Sequence, residues 1–207
     1  MGRVWSWASS AGEVEERRAE ARALVGETLS EVRYFTLDYK RDELARDHSG
    51  PRLITSDFEW SDPCWASEAC DSLEFGVELQ TADGVTFSVT WDPPGVQEGI
   101  GIQAQPLGTT LHPEAEIAMW EVGVRSRWFS AIGQRVADVD LHYIPWTRDG
   151  GDFWCPRITV TFGDVPVVLM LGEASEDGGI GPSADNVAVL FEPHAVPDWA
   201  LRLPFTA

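Results

Sequence analysis

Residues 24–39 read LVGETLSEVRYFTLDY, and residues 131–146 read AIGQRVADVDLHYIPW. Aligned without a gap, the two stretches match Gly26 with Gly133, and most other pairs are chemically similar. Each stretch follows a short helical pattern, turns at its glycine and continues with the β-branched and aromatic residues that favour a strand. The pair therefore predicts a helix–turn–strand unit that occurs twice.

Later segments repeat in the same order. Residues 77–79 align with residues 158–160, and both runs lead into a glycine-containing turn and a further strand. The sequence Gly-Ile-Gly then follows at 99–101 and again at 179–181. This order predicts that the similarity extends over the hairpins and the Gly-Ile-Gly segments as well.

We predict an α+β, β-rich fold with two pseudo-repeated units at about residues 11–103 and 125–191. Each unit consists of a short helix and an antiparallel meander. Neither unit is large enough to bury both faces of its own sheet. Residues 1–207 are therefore expected to form a single domain in which the units join as one sheet or a sandwich.

The formal net charge is −19, and it is unevenly distributed. Residues 53–124 contain thirteen Asp or Glu and no Lys or Arg, and residues 158–201 contain seven acids and no base. Such a field repels nucleic acid and attracts basic proteins. A second interpretation is that the charge serves solubility or adaptation to high salt.

Apolar stretches, cysteines and the ratio of Arg to Lys indicate which classes of protein the sequence fits. No stretch approaches the roughly 20 apolar residues of a membrane helix. The cysteines, Cys64, Cys70 and Cys155, are odd in number and no secretory leader precedes them, which predicts reduced thiols and a cytoplasmic location. Fourteen Arg against one Lys indicate a GC-rich bacterial genome. No cofactor motif is present, and the sequence does not indicate an oligomeric state.

The strongest candidate for a binding site is DFEWSDPCWASEACDSLE, residues 57–74, which has six acids, two Trp and no base. Trp is enriched at interaction hot spots, and surrounding acids steer basic partners. Alternatively, the Trp residues of a surface loop plug the core beneath it. The predicted partner-binding residues are Asp57, Glu59, Trp60, Asp62, Trp65, Glu68, Asp71 and Glu74.

A weaker candidate is a metal site. Asp138, Asp140 and His142 alternate along a predicted strand, so their side chains share one face. Two carboxylates and an imidazole can hold a divalent ion, although a solvated strand face shows the same spacing. The residues around His112 offer a second possible acid–base pair but include no nucleophile.

Three functions are consistent with the sequence. The first is a non-enzymatic acidic protein-binding module, such as a bacterial immunity or inhibitor protein that masks a basic partner. The second is a β-rich protein that binds a small ligand or a carbohydrate through its ten Trp residues. The third is a metal-dependent enzyme that uses Asp138, Asp140 and His142.

Overall fold

The computed structural model describes residues 8–40, 50–92, 98–109, 116–125, 127–146, 152–192 and 195–201. Two helices occur in these residues, α1 (Ala11–Ala21) and the short α2 (Asp57–Ser61). The strands are β1 (Leu29–Leu37), β2 (Arg52–Ile54), β3 (Asp71–Leu73), β4 (Gly76–Thr81), β5 (Thr86–Asp92), β6 (Gly99–Gln103), β7 (Ile117–Glu121), β8 (Val136–Pro145), β9 (Phe153–Phe162), β10 (Val165–Leu171), β11 (Glu173–Ala174), β12 (Ile180–Gly181) and β13 (Val187–Leu190). Short 3₁₀ turns lie at Arg22–Leu24, Leu107–Thr109, Arg127–Ser130 and Asp198–Leu201.

The strands form two large sheets and a small hairpin. The first sheet has the order β2-β7-β1-β4-β5-β6, and the second has the order β3-β13-β10-β9-β8. β11 and β12 pair separately. The pairings in both large sheets are antiparallel except that of β2 with β7. The prediction of a β-rich α+β fold is confirmed.

One hydrophobic core contains side chains from both large sheets. Alternate residues of a strand point to opposite faces, and Val32 and Tyr34 of β1 are fully buried. Val139 and Leu141 of β8 join them in the same cluster. The two inner faces thus pack against each other as in a β-sandwich.

The two stretches that open the sequence analysis contact each other. Gly26 N–H donates to Val136 O and Gly133 N–H donates to Leu29 O, both at 2.8 Å. Gly26 and Gly133 have φ values of +92° and +78°, a left-handed conformation that favours glycine. The reciprocal bonds join the beginnings of β1 and β8 and so connect the two sheets at one corner.

The predicted similarity of the halves has a mixed outcome. Val32 pairs with Leu79 as Val139 pairs with Val160, and the sequence alignment equates these positions. The Gly-Ile-Gly correspondence is wrong, because residues 99–101 lie in β6 of the first sheet whereas residues 180–181 lie in the separate β11-β12 hairpin. β13, and not β12, lies beside β10. Duplication is not confirmed and stays a prediction.

Helix α1 begins at a capping contact between Ser10 and Glu13. Glu13 N–H donates to the Ser10 hydroxyl at 3.2 Å, and the Glu13 carboxylate accepts from Ser9 N–H at 2.9 Å. These contacts satisfy N–H groups at the helix start. No helix in the described ranges has the length and apolar composition needed to cross a membrane.

Candidate interaction site

The candidate site lies at the end of β1, where residues 38–40 meet β2 and α2. β7 lies between β1 and β2, and its Ala118 is paired with Thr36 on one side and with Arg52 on the other. This register places the Arg52 side chain near Asp38, two residues beyond Thr36. The chain then enters α2 directly after β2, so the helix comes to lie against the same end of the sheet.

Arg52 is held by two carboxylates that are almost fully buried. Its Nε and Nη2 donate to Asp38 at 2.7 and 2.6 Å, while Nη1 and Nη2 donate to Glu59 at 3.2 and 2.8 Å. The side chains of Asp38 and Glu59 are 1% and 5% exposed. The hydrogen bonds to Asp38 and then to Glu59 raise the pKa of Arg52. Because a buried charge without its partner is strongly destabilising, this triad fixes α2 to the sheet.

Four aromatic rings pack together between α2 and the first sheet. Trp60 lies 6.1 Å from Trp65 and 5.3 Å from Trp120 between ring centroids, and Trp65 lies 5.8 Å from Trp120. Tyr34 continues the cluster, 5.1 Å from Trp65. All four contacts are edge-to-face, the arrangement that ring quadrupoles favour. The cluster joins α2, β1 and β7 into one rigid base.

Tyr34 also belongs to a buried chain of hydrogen bonds. Trp128 Nε1 donates to Tyr34 Oη at 2.6 Å, and Tyr34 Oη donates to Asp71 Oδ2 at 2.7 Å. Burial raises the pKa of Asp71 to about 6 and, together with the nearby Asp71, raises the pKa of Tyr34 well above its usual value. Asp71 therefore anchors β3 to the core.

A small cavity opens between the end of β1 and α2. Its volume is about 40 Å³. That is room for a few water molecules and far less than the roughly 300–1,000 Å³ of small-molecule pockets. Its lining includes Asp38, Tyr39, Lys40, Arg52, Asp62 and Trp120.

Two exposed aromatic side chains lie near this cavity: Tyr39 is part of its lining, and Phe58 contacts the lining residue Lys40. Tyr39 and Phe58 are 69% and 68% exposed. Tyr39 Oη donates to Glu74 Oε1 at 2.6 Å, and that bond raises the pKa of Tyr39 to about 12. The ammonium of Lys40 lies 4.4 Å from the centroid of the Phe58 ring. We name the surface formed by Tyr39, Lys40, Phe58, Asp62 and Glu74 the aromatic rim.

The fold brings Arg side chains from other parts of the chain to residues 57–74, which contain no Lys or Arg. Arg52 pairs with Glu59. Arg125 pairs with Asp57 at 3.0 Å and lies 5.2 Å from the Trp60 ring centroid. Arg127 donates to the carbonyl of Ser67 at 3.0 Å. The local field is therefore less negative than the linear charge distribution indicates.

The eight predicted partner-binding residues divide into two groups. Glu59, Trp65 and Asp71 are buried, so their side chains support the surface from within, and for Trp65 the alternative of a plug describes the structure. Asp57, Asp62 and Glu68 are exposed, and Trp60 and Glu74 are half-buried. Five of the eight thus remain accessible to a partner.

The metal-site alternative finds no support in the geometry. Asp138 and Asp140 are exposed and His142 is half-buried on β8, but the described residues contain no group of three His, Cys, Asp or Glu that could hold a metal ion. Residues i and i+4 of a strand lie roughly 13 Å apart, which spreads the three side chains along β8. Burial and then the nearby Arg157 lower the pKa of His142. His112 lies outside the described residues.

The thiols of Cys64 and Cys70 are not activated. Although Cys64 is exposed, partial desolvation of its thiol and then the Glu74 carboxylate raise its pKa to about 11, and burial raises the pKa of Cys70. Cys70 and Cys155 are buried. Since the thiolate is the reactive form, Cys64 and Cys70 are protonated at neutral pH.

Sequence reasoning missed the residues that reach the site from other elements. Tyr39 and Lys40 follow β1, Arg52 starts β2, and Arg125 follows β7. The one available signal is that Arg52 and Arg125 border the base-free segment 53–124 on either side. Only the strand pairings show that these flanking cations return to it.

No protein-family model matches the chain, and comparisons with curated proteins and with solved structures find no match.

Proposed function

We propose that the protein is an acidic protein-binding module that recognises a basic partner protein through the aromatic rim. The observation that carries this proposal is the exposure of Tyr39 and Phe58, 69% and 68%, among the carboxylates of Asp62 and Glu74. Tyr and Phe are enriched at protein interfaces, and Tyr is among the residues that most often form interaction hot spots.

The rigidity of the base supports the same proposal. Phe58 lies in α2, which the Arg52 ion pairs fix to the sheet. Trp60, two residues later, packs against Trp65 and Trp120. A surface held in place before binding loses less conformational entropy when a partner docks. The aromatic rim is therefore a preformed surface, which favours recognition of a partner.

The ligand-binding alternative has less support. Every Trp in the described ranges is buried or half-buried, so none presents a fully open ring to a sugar. The cavity of about 40 Å³ is much smaller than the pockets that usually enclose a small-molecule ligand. The alternative of a metal-dependent enzyme has no supporting group of metal-binding side chains among the described residues.

A more specific version is an inhibitor of immunity type. Its partner is a toxin or a nucleic-acid enzyme whose active surface is basic. The net charge of −19 suits such a role, because surfaces that bind phosphate carry a basic footprint. The aromatic rim then covers that footprint.

Affinity capture with matched variants tests the proposal. Immobilised wild type, Asp62→Asn and Asp138→Asn are compared on one lysate at low and high salt, with identification of the retained proteins. Asp138 is the control because it is also an exposed carboxylate but lies on β8. We expect a basic protein that wild type and Asp138→Asn retain at low salt and that Asp62→Asn and high salt release. Equal retention by all three proteins contradicts the proposal.

A further inference from the structure

The face of the Phe58 ring already receives a cation from the same chain. Lys40 Nζ lies 4.4 Å from the ring centroid, within the distance at which an ammonium is attracted to an aromatic face. Phe58 nevertheless remains 68% exposed. Most of the Phe58 side chain is therefore open to a second molecule while Lys40 lies over its ring.

Two neighbouring residues of α2 also contact cations, and each of those cations has a carboxylate partner. Glu59 binds Arg52, whose side chain is 16% exposed and also bonds Asp38. Trp60 is covered by Arg125, which also pairs with Asp57. Within the described part of the chain, no carboxylate lies at ion-pair distance from the Lys40 ammonium. Of the three cations that contact α2, Lys40 is therefore the one whose described contacts include no ion pair.

We propose that an arginine or lysine side chain of the partner docks on the Phe58 ring and displaces Lys40, which acts as an internal stand-in. This inference rests on the proposed function and specifies the side chain that the rim recognises. Asp62 and Tyr39 line the same cavity as Lys40, and Glu74 bonds Tyr39. The incoming cation thus takes the place of Lys40 on the Phe58 ring, and the Asp62 carboxylate lines the cavity that Lys40 also lines. Arginine suits the place best, since its planar group stacks on rings and binds carboxylates.

Displacement makes Lys40 a competitor of the partner. Its removal frees the ring and takes one positive charge away from an acidic rim. An exposed cation–π contact corresponds to roughly a two- to fivefold change in affinity. Lys40→Gln is therefore expected to bind an arginine-rich ligand roughly two- to fivefold more tightly than wild type.

An acetylated hexa-arginine amide serves as the probe, and its Kd is measured by calorimetry at low salt. Arg22→Gln is the charge-matched control, because Arg22 is exposed on the 3₁₀ turn after α1. We expect Lys40→Gln to tighten binding more than Arg22→Gln, and Phe58→Ala to abolish that gain in the double variant. If Lys40→Gln equals Arg22→Gln or binds more weakly, the displacement is overturned. If Phe58→Ala and Asp62→Asn bind the peptide as wild type does, the proposed function itself fails.

Lys40 offers a direct second readout, because it is the single lysine of the chain. Lysine-selective ¹³C labelling gives one Cε–Hε signal, and its position in Phe58→Ala marks a side chain free of the ring. Addition of hexa-arginine is expected to move the wild-type signal toward that position. A signal that stays in place while the peptide binds overturns the displacement and leaves the binding surface intact.

Discussion

Replacement of Arg52 by Met is expected to cost about 3–5 kcal/mol of the free energy of unfolding. The methionine keeps an apolar stem of similar length but removes every donor. The carboxylates of Asp38 and Glu59, 1% and 5% exposed, then lose their shared partner. The magnitude follows from measurements on buried ion pairs that lose one member. Most of it is the cost of leaving two carboxylates buried without compensation.

Equilibrium urea unfolding followed by Trp fluorescence measures this loss. The matched control is Arg125→Met, which removes a pair with Asp57 whose side chains are 48% and 92% exposed. Exposed pairs contribute less than about 1 kcal/mol, and the stacking of Arg125 on Trp60 adds a similar amount. The control is therefore expected to lose at most about 2 kcal/mol.

A loss below about 1 kcal/mol for Arg52→Met, with an unchanged denaturant slope, would refute the reasoning. The triad would then contribute nothing beyond an exposed pair. A triple variant that adds Asp38→Asn and Glu59→Gln to Arg52→Met provides the complementary test. Because neutral amides cost less to bury than carboxylates, this variant is expected to recover part of the lost stability.

Two further predictions concern Asp71 and Gly133. The folded pKa of Asp71, about 6, exceeds its unfolded value of about 4, so its contribution to stability is complete below pH 4 and is lost as the pH rises through 6. Between those limits wild type should lose about 3 kcal/mol relative to Asp71→Asn in urea titrations, and parallel pH profiles would contradict the assignment. Gly133→Ala should cost about 1–2 kcal/mol, because φ is +78° while an added Cβ meets no atom within 4 Å. Gly108→Ala, equally open but without the positive φ, should change stability by less than about 0.5 kcal/mol, and equal losses would refute the conformational origin.

The sequence was sufficient to predict the long hairpins. Asp83-Gly84 and Gly163-Asp164 separate runs that are long enough to carry a strand pattern, and both turns connect paired strands. The glycines at 26 and 133 indicated the turns before β1 and β8 because left-handed backbone favours glycine. These features depend on local conformation, which sequence pattern reports.

Residues 52–73 could not be predicted as regular structure. β2 and β3 are three residues long, and each forms by pairing with the edge of a strand that is distant in sequence. β2 pairs with β7 and β3 pairs with β13. A three-residue strand has too little pattern to distinguish it from a loop, and its partner is decided by the tertiary fold. The predicted equivalence of the two Gly-Ile-Gly segments was wrong for a related reason. The two segments have similar sequences but pair with different strands, β5 and β11.

The candidate site was predicted in part for the same physical reason. The acids and Trp residues of 57–74 are contiguous in sequence and were found by composition. Arg52 and Arg125 come from outside this segment and pair with its Glu59 and Asp57, while Lys40 lies against the Phe58 ring. A linear count of charge therefore overestimated the acidity of the surface. It also could not separate exposed from buried carboxylates.

The most direct test of the central claim is the affinity of a captured basic partner for Phe58→Ala. Calorimetry of wild type, Phe58→Ala and Phe129→Ala is compared, and Phe129 is the control because its ring is 72% exposed on the 3₁₀ turn after β7. We predict that Phe58→Ala raises Kd about tenfold or more, as truncation of a hot-spot side chain does. Phe129→Ala should leave Kd within about twofold of wild type, a change too small for a hot spot. An equal Kd for wild type and Phe58→Ala would contradict recognition through the aromatic rim.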